Sequence, residues 1–172
     1  MTDTKEVGRS KSVSKNSVLF VCLGNICRSP AAEAIFKAIL ASQGLEKIVR
    51  VDSAGTSSDH IGETADQRMR QEAHKRSLYI DSIARQFTEN DFESFDFIVV
   101  MDDSNKEKVL SLSFTEEQKY KVKKMTDYCC EKFSDFSSVP DPYYGGQQGF
   151  SLVLDILEDA CFHFFEKEIR PS

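Results

Sequence analysis

Residues 22–29 read Cys-Leu-Gly-Asn-Ile-Cys-Arg-Ser, placing a cysteine and an arginine either side of five residues, with a serine following. A thiolate at Cys22 is a nucleophile, and the planar fork of Arg28 matches two oxygens of a phosphoryl group at once. The outline C-x5-R is weak alone: five cysteines and eight arginines in 172 residues give about 0.23 chance matches. Its surroundings make it specific. Gly24 and Asn25 accept positive φ, so the loop can turn successive N–H groups inward. Ser29 and Pro30 suit the N-cap and first position of a helix, whose positive end then points at the same spot. That field favours both a bound dianion and a thiolate at Cys22, and Ser29 is placed to donate a further hydrogen bond to the sulfur. Residues 22–29, namely Cys22, Leu23, Gly24, Asn25, Ile26, Cys27, Arg28 and Ser29, are therefore the candidate phosphate cradle. Cys27 either fills the loop or pairs reversibly with Cys22 against irreversible oxidation.

These residues need elements to hold them. VLFVC at 18–22 is a continuous β-branched and aromatic run of the kind buried on both faces of a sheet. A helix is expected over 31–41, and a second short strand around 49–52. A charged helix over 65–76, a strand over 95–101, a helix over 104–110 and a strand over 120–125 follow. The chain closes on a helix over 150–167, where Val153, Leu157, Ala160, Cys161 and Phe164 make one apolar stripe. This alternation predicts a parallel α/β sheet in a single domain. Ligands collect at the carboxyl ends of such strands, where Cys22 lies. Between 126 and 149, Pro140, Pro142, Gly145, Gly146 and Gly149 mark a long loop.

Composition removes several function classes. Hydrophobic residues make up 40%, and 22 Lys plus Arg against 28 Asp plus Glu give a net charge of -6. That balance disfavours non-specific nucleic-acid binding. The longest apolar runs, 18–23 and 97–101, fall far short of the ~18 residues of a membrane span. Residues 1–17 are polar and basic without an apolar core, and read as a flexible arm before a domain at 18–172. A cytoplasmic location is the expectation, with the five cysteines as thiols. His60, His74 and His163 do not cluster with Cys or acidic residues in a metal-ligand spacing, so no metal is expected.

The segment VCLGNICRSPAAEAIF closely resembles the signature of the low molecular weight protein tyrosine phosphatases. DSAGT at 52–56, MDDSN at 101–105 and DPYYGG at 141–146 follow in that family's order. The resemblance covers about 18–168. It implies a four-stranded parallel sheet flanked by helices on both faces, and cofactor-free hydrolysis of phosphotyrosine in proteins and of aryl phosphates. Cys22 would be the nucleophile, Arg28 the phosphate clamp and Asp141 the general acid, with phosphate, vanadate or other oxyanions as loop ligands. Asn25, Ser29 and Ser53 would brace the loop. Leu23, Ile26, Asp59, Tyr143 and Tyr144 would form the pocket for the aryl ring. Asp102 is expected either to orient Arg28 or to cap the following helix. Two positions depart from the family pattern: Asp59 where many members carry an aromatic residue, and Ser82 where many carry a histidine. Thioredoxin-coupled arsenate reductases share this scaffold and loop, but they place resolving cysteines on a segment that here, over 64–98, has none.

Overall fold

The computed structural model describes residues 16–170. The first fifteen residues of the expected arm lie outside that range. Ser17 does not belong to the arm: it is buried and opens strand β1, Ser17–Cys22, where its hydroxyl bonds Asp96. The other strands are β2, Arg50–Gly55; β3, Phe97–Val100; and β4, Val122–Lys124. They form one sheet in the order β2-β1-β3-β4, every pair parallel.

The continuous apolar run at β1 has the meaning expected of it. Val18, Phe20 and Cys22 point into one core, and Leu19 and Val21 into another on the opposite face. The first core is closed by α1, Arg28–Ser42, and α6, Gln147–Phe164, once α2, Gln67–Lys75, and α3, Asp91–Ser94, have been passed along the chain. The second takes Phe92 of α3 and Val109 of α4, Asp103–Ser111. A further helix, α5, Glu116–Tyr120, lies on the surface. The expected stripe of α6 is realised in full, since Val153, Leu157, Ala160, Cys161 and Phe164 are all inaccessible to solvent. Phe164 meets Phe36, Phe97 and Tyr128 edge to face.

Several boundaries differ from expectation. Helix α1 begins at Arg28, and its cap position, Cys27, makes no side-chain cap bond. Ser29 is thus inside the helix with its hydroxyl turned inward. The helix's free N–H groups are left available at the end that faces the loop. The 150–167 helix starts three residues earlier and gives way to a π-turn at Phe165–Ile169. The loop at 126–149 contains short 3-10 turns at Met125–Tyr128 and Glu131–Phe133. Strand β2 runs on to Gly55, because Ser53, Ala54 and Gly55 are small enough to pass under the loop that follows β1.

Candidate active site

The loop after β1 is fixed from outside by its own carbonyls. Those of Cys22 and Leu23 accept the N–H groups of Thr56 and Ser57 at 2.9 Å each, that of Ile26 accepts Asp66 N–H at 2.8 Å, and that of Cys27 accepts Ala31 N–H at 3.2 Å. With these carbonyls already engaged, the loop amides are the backbone groups left to meet an anion. Asn25 takes the left-handed conformation, φ 57°. Gly24 does not, contrary to expectation, and its lack of a side chain serves space instead: a Cβ there would stand 2.9 Å from Cδ2 of His60. Gly55, which sequence reasoning did not single out, is under a stricter constraint, as a Cβ would meet the Leu23 carbonyl oxygen at 2.7 Å.

Inside the loop a chain of hydrogen bonds has a definite direction. Glu33, buried on α1, can only accept, and takes Ser53 Oγ at 2.7 Å and Lys37 Nζ at 2.6 Å. Ser53 therefore accepts from Asn25 Nδ2 at 2.9 Å, and the other proton of that amide goes to Ser29 Oγ at 2.8 Å. Asn25 Oδ1 is held by the Arg85 N–H at 3.0 Å. The Ser29 proton is left for the Cys22 sulfur, 3.0 Å away, or for the Ala54 carbonyl at 3.4 Å. Glu33 was absent from the sequence candidates, although it lies within the same CRSPAAEAIF segment.

Arg28 is buried beneath the loop. Its guanidinium meets Asp102 at 2.6 Å, the Val139 carbonyl at 3.0 Å and Asp141 at 3.5 Å. Burial alone would lower its pKa, but the neighbouring Cys22, Asp102 and Asp141 outweigh that and hold it above its ordinary value. Asp102 does both of the things expected of it as alternatives: its second oxygen caps α4 by accepting Asn105 N–H at 2.7 Å. Cys27 is different in kind. Burial, with Asp66, Cys22 and Asp141 nearby, pushes its thiol well up and keeps it protonated at neutral pH.

The pocket above Cys22, Cys27 and Arg28 is walled by Leu23, Ile26, Asp59, Tyr143 and Tyr144, so the five expected wall residues are brought together. Ser57 and His60 join them, and His60 tilts against Tyr143 with ring centroids 6.0 Å apart. Asp141 sits on the same wall and accepts Tyr143 N–H at 3.1 Å. Ser82 is elsewhere, lining a crevice beside Glu33 and Lys37. Cys129 and Cys130 line a separate surface pocket with His163. No group of three or more His, Cys, Asp or Glu side chains among the described residues is arranged to hold a metal ion.

The fold is a single-domain α/β protein with a four-stranded parallel sheet, and a loop carrying a buried cysteine and a buried arginine follows the inner strand β1. More narrowly, residues 17–171 match the low molecular weight phosphotyrosine protein phosphatase family, and the chain belongs to it. A putative low molecular weight protein-tyrosine-phosphatase of Synechocystis sp. is 51% identical over 144 residues, covering 84% of this chain and 90% of that one. The low molecular weight phosphotyrosine protein phosphatase of Gallus gallus is 40% identical, covering 88% and 94%. The crystal structure of a protein tyrosine phosphatase from Entamoeba histolytica, with Hepes in its active site, superposes with a TM-score of 0.84 at 47% identity, covering 88% of this chain and 96% of that one.

Proposed function

We propose that this protein hydrolyses phosphotyrosine in proteins, and small aryl phosphates, through a phosphocysteine on Cys22. The observation that carries the reading is the convergence of Cys22, Arg28 and Asp141 on one pocket, with Ser29 Oγ 3.0 Å from the sulfur and Asp141 3.5 Å from the clamp. The Cys22 thiolate attacks phosphorus in line with the leaving phenol oxygen, and the P–O bond breaks as the S–P bond forms. Arg28 and the loop amides take the charge of the three equatorial oxygens. Asp141, protonated, gives its proton to the leaving phenolate, a step typically worth ~10² to 10⁴ in rate. The same carboxylate then takes a proton from the water that attacks the phosphocysteine, releasing phosphate and the Cys22 thiolate.

Leu23, Ile26, Tyr143 and Tyr144 all line the slot, so a flat ring attached to the phosphate meets apolar walls while a shorter phosphoserine stops above the sulfur. Cys22 works only as a free thiol, so cytoplasmic placement is part of the proposal. Among the described residues no helix is long and apolar enough to cross a membrane.

The test is hydrolysis of para-nitrophenyl phosphate by the wild type, Cys22→Ser and Asp141→Asn. Vanadate-sensitive turnover without added metal, abolished in Cys22→Ser and reduced in Asp141→Asn with phosphate binding retained, is the expected outcome. An active Cys22→Ser, or consumption of thioredoxin-derived electrons on arsenate by a wild type inert to aryl phosphates, overturns the reading.

A further inference from the structure

We propose that Arg68, held by Asp66, is a positioning residue that sets where Asp141 stands relative to the phosphate loop. The proposal rests on the reading of Asp141 as the general acid. A continuous line of contacts joins the two. Asp66 N–H bonds the Ile26 carbonyl of the phosphate loop at 2.8 Å. Its carboxylate accepts Arg68 N–H at 2.8 Å, Arg68 Nε at 3.1 Å and Nη2 at 2.9 Å. Arg68 Nη2 also donates to the Tyr143 carbonyl at 3.0 Å, and Tyr143 N–H donates to Asp141 Oδ1 at 3.1 Å. The loop carrying the acid is thus referenced to the loop carrying the nucleophile through one carboxylate and one guanidinium.

The choice of arginine follows from what it has to span. Its fork grips the Asp66 carboxylate in two places and still leaves a proton for the Tyr143 carbonyl, which an ammonium on a flexible stem does not reproduce. The guanidinium also lies 4.7 Å from the centroid of Phe150, in the first turn of α6, and 5.6 Å from that of Tyr143, so it contacts both ends of the acid loop's exit into the helix. Burial would raise the Asp66 pKa, but its bonds to Arg68 outweigh that and hold it below its ordinary value.

By contrast, the stretch that needs holding is weakly self-supported. Its internal backbone bond, Gly145 N–H to the Pro142 carbonyl, closes a turn without fixing it to the domain. The ion pair between Asp141 and Arg28 ceases to help once a phosphoryl group takes the guanidinium. At that moment the Arg68 bond to Tyr143 remains to keep the carboxyl within reach of the leaving oxygen, where displacement of about 1 Å costs on the order of 10²-fold in rate.

The experiment compares wild type, Arg68→Met, Arg68→Lys, Asp141→Asn and the double variant Arg68→Met/Asp141→Asn on aryl phosphates whose leaving phenols run from acidic to weakly acidic. Methionine keeps much of the apolar stem over Phe150 while removing the fork. The expected result is that kcat/KM of Arg68→Met falls about 10-fold or more for the weakly acidic phenols and much less for the acidic ones, steepening the dependence on leaving-group pKa as Asp141→Asn does. Arg68→Lys should fall between, and vanadate inhibition should stay within about 3-fold of wild type. In the Asp141→Asn background the Arg68→Met change should add less than about 2-fold, because two residues acting through one proton transfer are not additive. An equal loss on all substrates, a lost affinity for vanadate, or a full additional loss in the double variant overturns the proposal, and Arg68→Lys decides the matter if Arg68→Met does not fold. A fully active Asp141→Asn removes the acid assignment itself, and this inference with it, a result distinct from a steep Asp141→Asn beside a flat Arg68→Met.

Discussion

Asp59 lines the pocket together with His60 and Tyr143 and is exposed to solvent. An exposed carboxylate at that point repels acidic residues flanking a phosphotyrosine and attracts basic ones. The wild type should prefer basic over acidic phosphopeptides by roughly 2- to 5-fold in kcat/KM at low salt, with the preference fading as ionic strength rises. Asp59→Asn should level the two; equal rates in the wild type would remove Asp59 from the specificity account. Cys27 offers a second check. As its thiol is pushed up by burial and by Asp66, it is a thiol at neutral pH and becomes a thiolate only in alkali. Capture of a Cys22 sulfenic acid by Cys27 depends on that thiolate. After a peroxide pulse, the fraction of activity recovered by dithiothreitol should therefore be small near neutral pH and rise as the solution is made alkaline, and that rise should be lost in Cys27→Ser. A recovered fraction independent of pH, or unchanged in the serine variant, would show that Cys27 is only packing.

Strand β1 and helix α6 were legible in the sequence because each carries its burial in a period: a continuous apolar run for one, a three-four stripe for the other. Helix α5 is not legible, although Thr115 and Gln118 form a capping box there, because no residue in Glu116–Tyr120 is buried and no apolar period announces it. The start of α1 at Arg28 departs from what the Ser-Pro pair predicts, because of what Ser29 bonds. A Ser-Pro pair usually opens a helix with the serine as cap, but here the Ser29 hydroxyl is committed to Asn25 and the Cys22 sulfur. The site's chemical residues were legible as a motif, while its supports, Glu33, Gly55 and Arg68, are defined by contacts across 20 to 75 residues of chain, as in the bonds Ser53 to Glu33 and Arg68 to Tyr143. Asp102 stands between the two kinds, joining β3's exit, α4 and Arg28. Asp102→Ala removes a cap and one partner of a buried arginine, and should cost roughly 2–4 kcal/mol, less than a fully buried pair because its side chain is 23% exposed. Asp102→Asn, which keeps a cap acceptor, should lose about 1 kcal/mol less. Urea unfolding measures the difference, and phosphate inhibition should weaken in both.

The domain is two cores divided by one sheet, and the larger depends on a knot of aromatic rings at the end of the chain's last helix. Phe164→Ala empties the place where Phe36, Phe97 and Tyr128 converge and should destabilise the protein by about 3–5 kcal/mol. At ~2–4 °C per kcal/mol for a chain of this size, the melting temperature should drop by about 6–20 °C. Below the transition kcat should be unchanged, since no ring of the cluster lines the pocket. A loss of turnover in the folded variant would tie that core to the site. The order in which the strands sit has a further consequence, for the timing of assembly. Strand β1 lies between β2 and β3, the loop it feeds is braced by Ser53, Asp66 and Arg85, and α1 is covered by α6. Cys22 thus leaves the ribosome long before Asp141, and before the helix that covers α1. Residues 22–29 can be braced only once β2, β3 and the helix that covers α1 have been made, so the loop written early in the chain is finished late in folding.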